Sequence, residues 1–254
     1  MPVDRESEEY NMNHLRRGYA TIFNHDEFSH DMPTRKGSHI DVQQLTNILE
    51  MLHFEVKVYN NLDCEKIREV LNELASMDHS DCDCLLVAVL THGLKSNYLY
   101  AKDYIYSVDT LWLPFTADRC LSLAGKPKMF LIQACRGEAL DAGVRLVSTS
   151  QTDSGNISYK IPSMADFFIA YSTAEGYYSW RHPEKGTWFI QSFCQVLNDH
   201  YRTLDFQKIM TRVSHRVAIE FESYNDCFLE QHEQKQVPNM HSTLIRDVYF
   251  RPKV

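Results

Sequence analysis

The chain has 254 residues, 44% of them apolar and 24% charged, a composition ordinary for a soluble globular protein with one or two domains and a substantial core. Its 26 Lys and Arg against 34 Asp and Glu leave a formal charge of −8, which argues against nucleic acid or an anionic membrane surface as a partner. No apolar run approaches the ~20 residues that cross a bilayer, and the opening M-P-V-D-R-E-S-E-E-Y is too polar and acidic for a signal peptide.

Taken in order, Tyr19 to Phe23 reads as a first strand, and Glu27 to His39, with Pro33, Arg35 and Gly37, as a loop. From Ile40 to Leu52, Val42, Leu45, Leu49 and Leu52 share one helical face. Phe54 to Val58 alternates as a strand does. Cys64 to Met77 repeats the helical pattern with Ile67, Val70, Leu71 and Leu74 inward and Asp63 as N-cap. Cys84 to Leu90 is a continuous apolar run, too short for a core helix, and so a buried strand. Strand and helix alternating at these lengths imply parallel βαβ units. Tyr98 to Tyr106 reads as a small hairpin and Leu111 to Leu123 as a short helix; Lys128 to Ile132 is a second fully buried strand.

Periodicity then disappears. Residues 138–160 are rich in Ser, Thr, Gly and Asp and read as a mobile linker. Order resumes with a strand over Ala165 to Tyr171 and a loop from Gly176 to Gly186. Helices follow over Trp188 to Tyr201 and Phe206 to Phe221, then a polar loop over Tyr224 to Val237 and a last strand over Leu244 to Phe250.

Chemistry concentrates where the two buried strands run out. Gln133 and Cys135 follow the strand beginning at Lys128, and Thr91-His92-Gly93 follows the strand ending at Leu90. In open α/β sheets the crevice beyond the carboxyl ends of the strands is where ligands bind. A Cys and a His delivered there make a nucleophile and a general base. Arg136, adjacent to the thiol, would favour the thiolate. Gly93 leaves room for its N–H, beside that of Cys135, to approach a substrate oxyanion. Seven cysteines, an odd number at irregular spacing with no secretory signal, favour reduced thiols in the cytosol. Cys82-Asp83-Cys84 beside His79 and His92 raises zinc, but no second close ligand pair follows, so no metal and no cofactor is expected.

The run Q-A-C-R-G at Gln133 to Gly137 matches the active-site signature of the caspases, in which a His stands about 50 residues upstream; here His92 precedes Cys135 by 43. Y-Y-S-W-R at Tyr177 to Arg181, T-W-F-I-Q-S at Thr187 to Ser192 and G-K-P-K at Gly125 to Lys128 also resemble executioner caspases, from about Tyr10 to Phe250. The resemblance implies an α/β sandwich with a mostly parallel six-stranded sheet and helices on both faces. It implies hydrolysis after aspartate through a thioester on Cys135, with His92 as proton carrier oriented by a backbone carbonyl, which Pro33 would supply. Arg35, Gln133 and Arg181 match the pocket that selects aspartate, with Ser179 beside it. Tyr178, Trp180, Trp188 and Tyr224 match the neighbouring subsites.

Three places depart from the executioner pattern: Thr91 stands for Ser, His182 stands for an Asn that contacts an acidic residue four places before the scissile bond, and the Tyr224 to Val237 loop is about one residue longer. The resemblance further implies a zymogen cut into a large subunit (1–153, with a short extension 1–10) and a small one (154–254). Cleavage falls between Asp153 and Ser154, with trimming at Asp4, and the product is a homodimer joined through carboxy-terminal strands. An upstream initiator caspase and inhibitor proteins are the further partners. The rival reading is a catalytically silent homologue serving as a decoy or scaffold.

Overall fold

Leu85 to Leu90 offers no polar side chain to water, and the chain responds by burying the whole segment on both faces. The computed structural model describes residues 4, 6–29, 32–137, 139–141, 162–182, 185–223 and 232–253. The elements are β1 (Tyr19–Asn24), α1 (Ser38–Met51), β2 (Glu55–Asn60), α2 (Cys64–Ser76), β3 (Leu85–Leu90), β4 (Gly93–Leu94), β5 (Tyr98–Tyr100), β6 (Ile105–Ser107), β7 (Lys128–Gln133), β8 (Phe167–Tyr171), β9 (Arg181–His182), β10 (Gly186–Thr187), α3 (Trp188–His200), α4 (Phe206–Glu220) and β11 (Asn239–Ser242). Six strands form the central sheet in the order β11-β8-β7-β3-β1-β2, parallel except for β11, while β4-β5-β6 and β9-β10 make small antiparallel sheets.

Side chains alternate across a strand, and the sheet divides its residues accordingly. Leu86, Ala88, Met129 and Leu131 face a core shared with α1, α3 and α4. Leu85, Val87, Phe130 and Ile132 face a second core with Ile67 and Leu71 of α2. Helices therefore cover both faces, as expected. The amino-terminal stretch is fastened to this body: Tyr10 is buried and its hydroxyl donates to Asp166 Oδ1 at 2.8 Å, while Arg17 pairs with the buried Asp83 at 2.8 Å.

Four expectations need correction. Leu111 to Leu123 is no helix. It forms short 3₁₀ turns (Val108–Leu111, Leu113–Phe115, Leu121–Leu123), because Pro114 cannot donate within a helix and Thr116 turns extended. Leu244 to Phe250 is not the last strand. Its backbone bonds go to Glu8, Tyr10 and the start of α4, with Asp247 N–H donating to Glu8 O at 2.8 Å and Phe206 N–H donating to Val248 O at 2.8 Å. The sheet edge is Asn239–Ser242, a polar segment whose side chains supply no alternation to read. Asp63 flanks α2 without a side-chain cap; Asp103 Oδ1 accepts the Cys64 N–H instead, at 2.8 Å. Position 63 satisfies the spacing rule, but a residue from across the fold takes the role. Finally, the loop expected over Gly176 to Gly186 contains β9 and the start of β10. Within the expected linker 138–160, only 139–141 are described; Tyr224, Asp153 and Ser154 lie outside the described residues.

Candidate active site

Register brings the thiol and the imidazole to one level. Leu90 on β3 pairs with Gln133 on the adjacent parallel strand β7. His92 and Cys135 each stand two residues further on. Neighbouring strands lie about 4.8 Å apart, so both side chains emerge at the same height over one crevice. Thr91 N–H donates to Gln133 O at 3.0 Å and ties the two strand ends together. On the other side β1 aligns Asn24 with Leu90, sending the loop that bears Pro33 and Arg35 over the same rim. A cavity of about 320 Å³ results, lined by Arg35, His92, Gln133, Cys135, Tyr178, Ser179, Trp180 and Arg181 among others. Two larger hollows, of about 480 and 550 Å³, lie along α3 and α4, but neither holds a thiol with an imidazole. Size alone would misplace the site.

His92 Nε2 lies 2.8 Å from the Pro33 carbonyl, as expected. A carbonyl only accepts, so Nε2 carries the proton and Nδ1 of the neutral ring is the acceptor. Burial lowers the His92 pKa below the usual histidine value; the Pro33 carbonyl opposes this and the positive Arg35 and Arg181 reinforce it. The ring is therefore neutral at pH 7. Phe28, which sequence reasoning passed over because its loop has no periodicity, packs against it with centroids 5.0 Å apart.

Cys135 is half-buried, and burial pushes its thiol up from the ordinary value, with the Ser179 N–H, Arg35 and Arg181 pulling the other way. Arg136 does not supply the expected thiolate stabilisation. Its guanidinium stacks on the Tyr171 ring at 4.0 Å and donates to Asn97 Oδ1 at 2.7 Å. The arginines that bear on the thiol come from distant segments. Ser179 N–H donates to Cys135 Sγ at 3.4 Å. A protonated thiol beside a neutral imidazole can pass its proton to Nδ1 as it attacks. Gly93 has a tighter reason to be glycine than an open approach for substrate: a Cβ there would lie 2.1 Å from the Cys135 carbonyl oxygen.

Around the thiol, Arg35 is buried, its Nη1 donating to His25 O at 3.0 Å. Burial and the neighbouring Arg181 push its pKa down to about 10. Gln133 is buried and donates to Ser179 Oγ at 2.8 Å, which fixes its amide. Arg181 stands half-buried on β9. The three residues come from three segments yet converge on one wall. Two guanidinium forks and an amide there can grip one carboxylate.

Trp180 lines the cavity and stacks on Trp188 at 5.8 Å, which stacks in turn on Phe221 at 5.3 Å. Trp188 is buried behind Trp180, not in the lining as expected, because it opens α3 and faces the core. Tyr178 is exposed at the rim and His182 is exposed on β9 outside the cavity lining. Gln236, also missed, accepts the Trp180 N–H at 2.7 Å. Asp4 sits in a turn, its carbonyl accepting Ser7 N–H at 3.0 Å, and Asp141 is bridged to Lys235.

A thiol and an imidazole on adjacent strand ends, sharing one cavity with two guanidiniums and an amide, define a cysteine hydrolase on an α/β sheet. The sequence profile described as Caspase domain matches residues 17–249. The chain is 48% identical over 254 residues to caspase-1 of Spodoptera frugiperda, covering all of this chain and 85% of that protein. It is 47% identical to caspase drICE of Drosophila melanogaster, covering all of this chain and 75% of that one. With caspase-3 of Bos taurus the identity is 37%, over 96% of this chain and 88% of the relative. The crystal structure of Spodoptera frugiperda caspase-1 superposes with a TM-score of 0.93, covering 100% of this chain and 99% of that one. The chain belongs to the caspase family. It is a cysteine-type endopeptidase of the executioner type, acting in apoptosis.

Proposed function

We propose that the protease cuts after aspartate, with Cys135 as nucleophile, His92 as proton carrier and Arg35, Gln133 and Arg181 as the aspartate pocket. The convergence of those five side chains on one cavity carries the reading. His92 takes the thiol proton at Nδ1, Sγ adds to the scissile carbonyl, and the N–H groups of Gly93 and Cys135 receive the oxyanion. The imidazolium protonates the leaving amine, which leaves a thioester on Cys135. Water, deprotonated by His92, releases the acid product. Ser179, Tyr178 and Trp180 shape the subsites next to the pocket, with Trp188 supporting Trp180 from behind. Asn at the selected position would leave the guanidinium pair unmatched, at about 3–5 kcal/mol, while Glu differs by one methylene, about 1–3 kcal/mol.

The active form is a dimer of two-chain protomers, 1–153 and 154–254, cut between Asp153 and Ser154. Asp141 is the poorer site because Lys235 N–H holds its carbonyl at 2.9 Å. Trimming at Asp4 requires its turn to open first. Among the described residues β11 pairs only with β8 and its outer edge is unpaired, with Val237 and Ile245 exposed nearby, which supports pairing with a second copy. The six described cysteines are all free thiols, which supports a cytoplasmic setting. The remaining partners are proteins with an accessible aspartate, an initiator protease that makes the first cut, and inhibitor proteins that occupy the cleft.

Fluorogenic peptides ending in Asp, Asn and Glu test the pocket. Turnover in the order Asp, then Glu, then Asn is expected; Asn turned over within threefold of Asp refutes it.

A further inference from the structure

Behind the pocket wall lies a carboxylate that does not line the cavity. Asp41, in the first turn of α1, has no exposed surface. Its Oδ1 accepts the Thr187 N–H at 2.8 Å in a buried bond across 146 residues. Thr187 on β10 is the register partner of Arg181 on β9. Arg35 stands in the turn that leads into α1, six positions before Asp41. One side chain thus fastens the ribbon that carries Arg181 to the helix start that carries Arg35. The fit is close: a Cβ on Gly186, whose φ is +90°, would come within 2.4 Å of Asp41 Oδ1. Asp41 Oδ2 is buried and makes no hydrogen bond among the described residues.

The electrostatics follow the same geometry. Arg35 and Arg181 repel each other, and Asp41 is a negative charge acting on both. Bonded to Thr187, it cannot advance into the cavity to displace a substrate carboxylate. We infer that Asp41 is a positioning residue for the aspartate pocket, holding the Arg35 and Arg181 guanidiniums at the separation that one substrate carboxylate bridges. The inference rests on the pocket proposed above. Burial pushes Asp41 up to about 6 against the pull of the Thr187 N–H, Arg35 and Arg181. With Cys194 of α3, which feels the same charge, those two arginines are the titratable groups facing it. Asp41 is charged above that value and loses its charge below it.

The test is the KM of the purified active enzyme for an Asp peptide between pH 7.5 and 5.5, with rates normalised to titrated active sites. Asp41→Asn keeps the shape and an oxygen for Thr187 but removes the charge. At pH 7.5 it is expected to raise KM about tenfold with kcat within twofold, since the grip on the carboxylate is the same in ground and transition states. The parent KM is expected to climb toward the variant's as the pH drops past 6, while the variant's stays flat. A parent KM that stays flat overturns the inference without any variant. So does a variant KM within twofold of the parent at pH 7.5, or one that changes with pH as the parent's does. Arg181→Lys alongside separates the two readings. If it also leaves KM unchanged, the pocket itself is wrong; if it raises KM while Asp41→Asn is silent, only the role of Asp41 falls.

Discussion

Replacing Gly93 by alanine tests the strand-end geometry directly. The added Cβ would sit 2.1 Å from the Cys135 carbonyl oxygen and 3.1 Å from Ala134 Cβ. Neither neighbour is the free end of a flexible side chain, so the β4 start and the Cys135 backbone must part by about 1 Å, a displacement that can cost on the order of 10²-fold in rate when it falls on reacting groups. That corresponds to about 2.7 kcal/mol of transition-state stabilisation. The loss should appear in kcat, because the two guanidinium forks, Arg35 and Arg181, belong to other segments. Gly125→Ala is the control: its φ is +73° but nothing lies within 4 Å of the new Cβ, so it strains a turn and leaves the site alone. Steady-state kinetics on an Asp peptide, with circular dichroism and thermal melts to verify folding, decide the matter. If Gly93→Ala keeps kcat within threefold of the parent, or if Gly125→Ala loses as much, the close packing of His92 and Cys135 segments is not what holds the chemistry together.

Cys135→Ala should abolish turnover and leave the melting temperature nearly unchanged, since a small apolar group replaces a half-buried thiol; residual activity above a few percent would exclude it as nucleophile. Arg181→Lys keeps the charge but loses the planar fork and should lower kcat/KM toward Asp peptides by more than about 2 kcal/mol; a change under threefold would make it a surface charge. Intact-mass measurement should find a chain ending at Asp153 and another beginning at Ser154, with Cys135→Ala remaining one chain when made without other proteases; fragments persisting in that variant would assign the cutting to another enzyme. His25, fully buried with both ring nitrogens unbonded among the described residues, is pushed down to about 4 from 6.5 by burial and Arg35. The unfolded chain therefore takes up a proton there between those values that the folded chain refuses, and stability falls as pH drops through that window, by on the order of 3 kcal/mol at pH 4. Denaturant melts of His25→Asn should show a shallower acid slope; an identical slope would place the titration elsewhere.

Much of this protein was legible in the sequence, because local chemistry has a short reach. The apolar runs of β3 and β7 could only be strands buried on both faces, and a helical stripe such as Leu45 and Leu49 announces α1 without help from the rest of the chain. His92 and Cys135 stood out as a pair because each ends such a strand. What the sequence could not supply was anything set by contact between distant segments. Leu90 meeting Gln133 in register is what levels the imidazole with the thiol. Arg136 is adjacent to Cys135 in sequence yet turns to Tyr171, while Arg35 and Arg181, 100 and 46 positions away, act on the thiol. The edge strand Asn239–Ser242 has no alternation to read because only Met240 of its four residues packs against the core, and backbone pairing with β8 sets its place. Asp41 looks like an ordinary first-turn acid until β10 folds over it and gives it Thr187, 146 residues away. Side-chain type and spacing are properties of the chain; distance, burial and charge partners come into being only when the chain closes on itself.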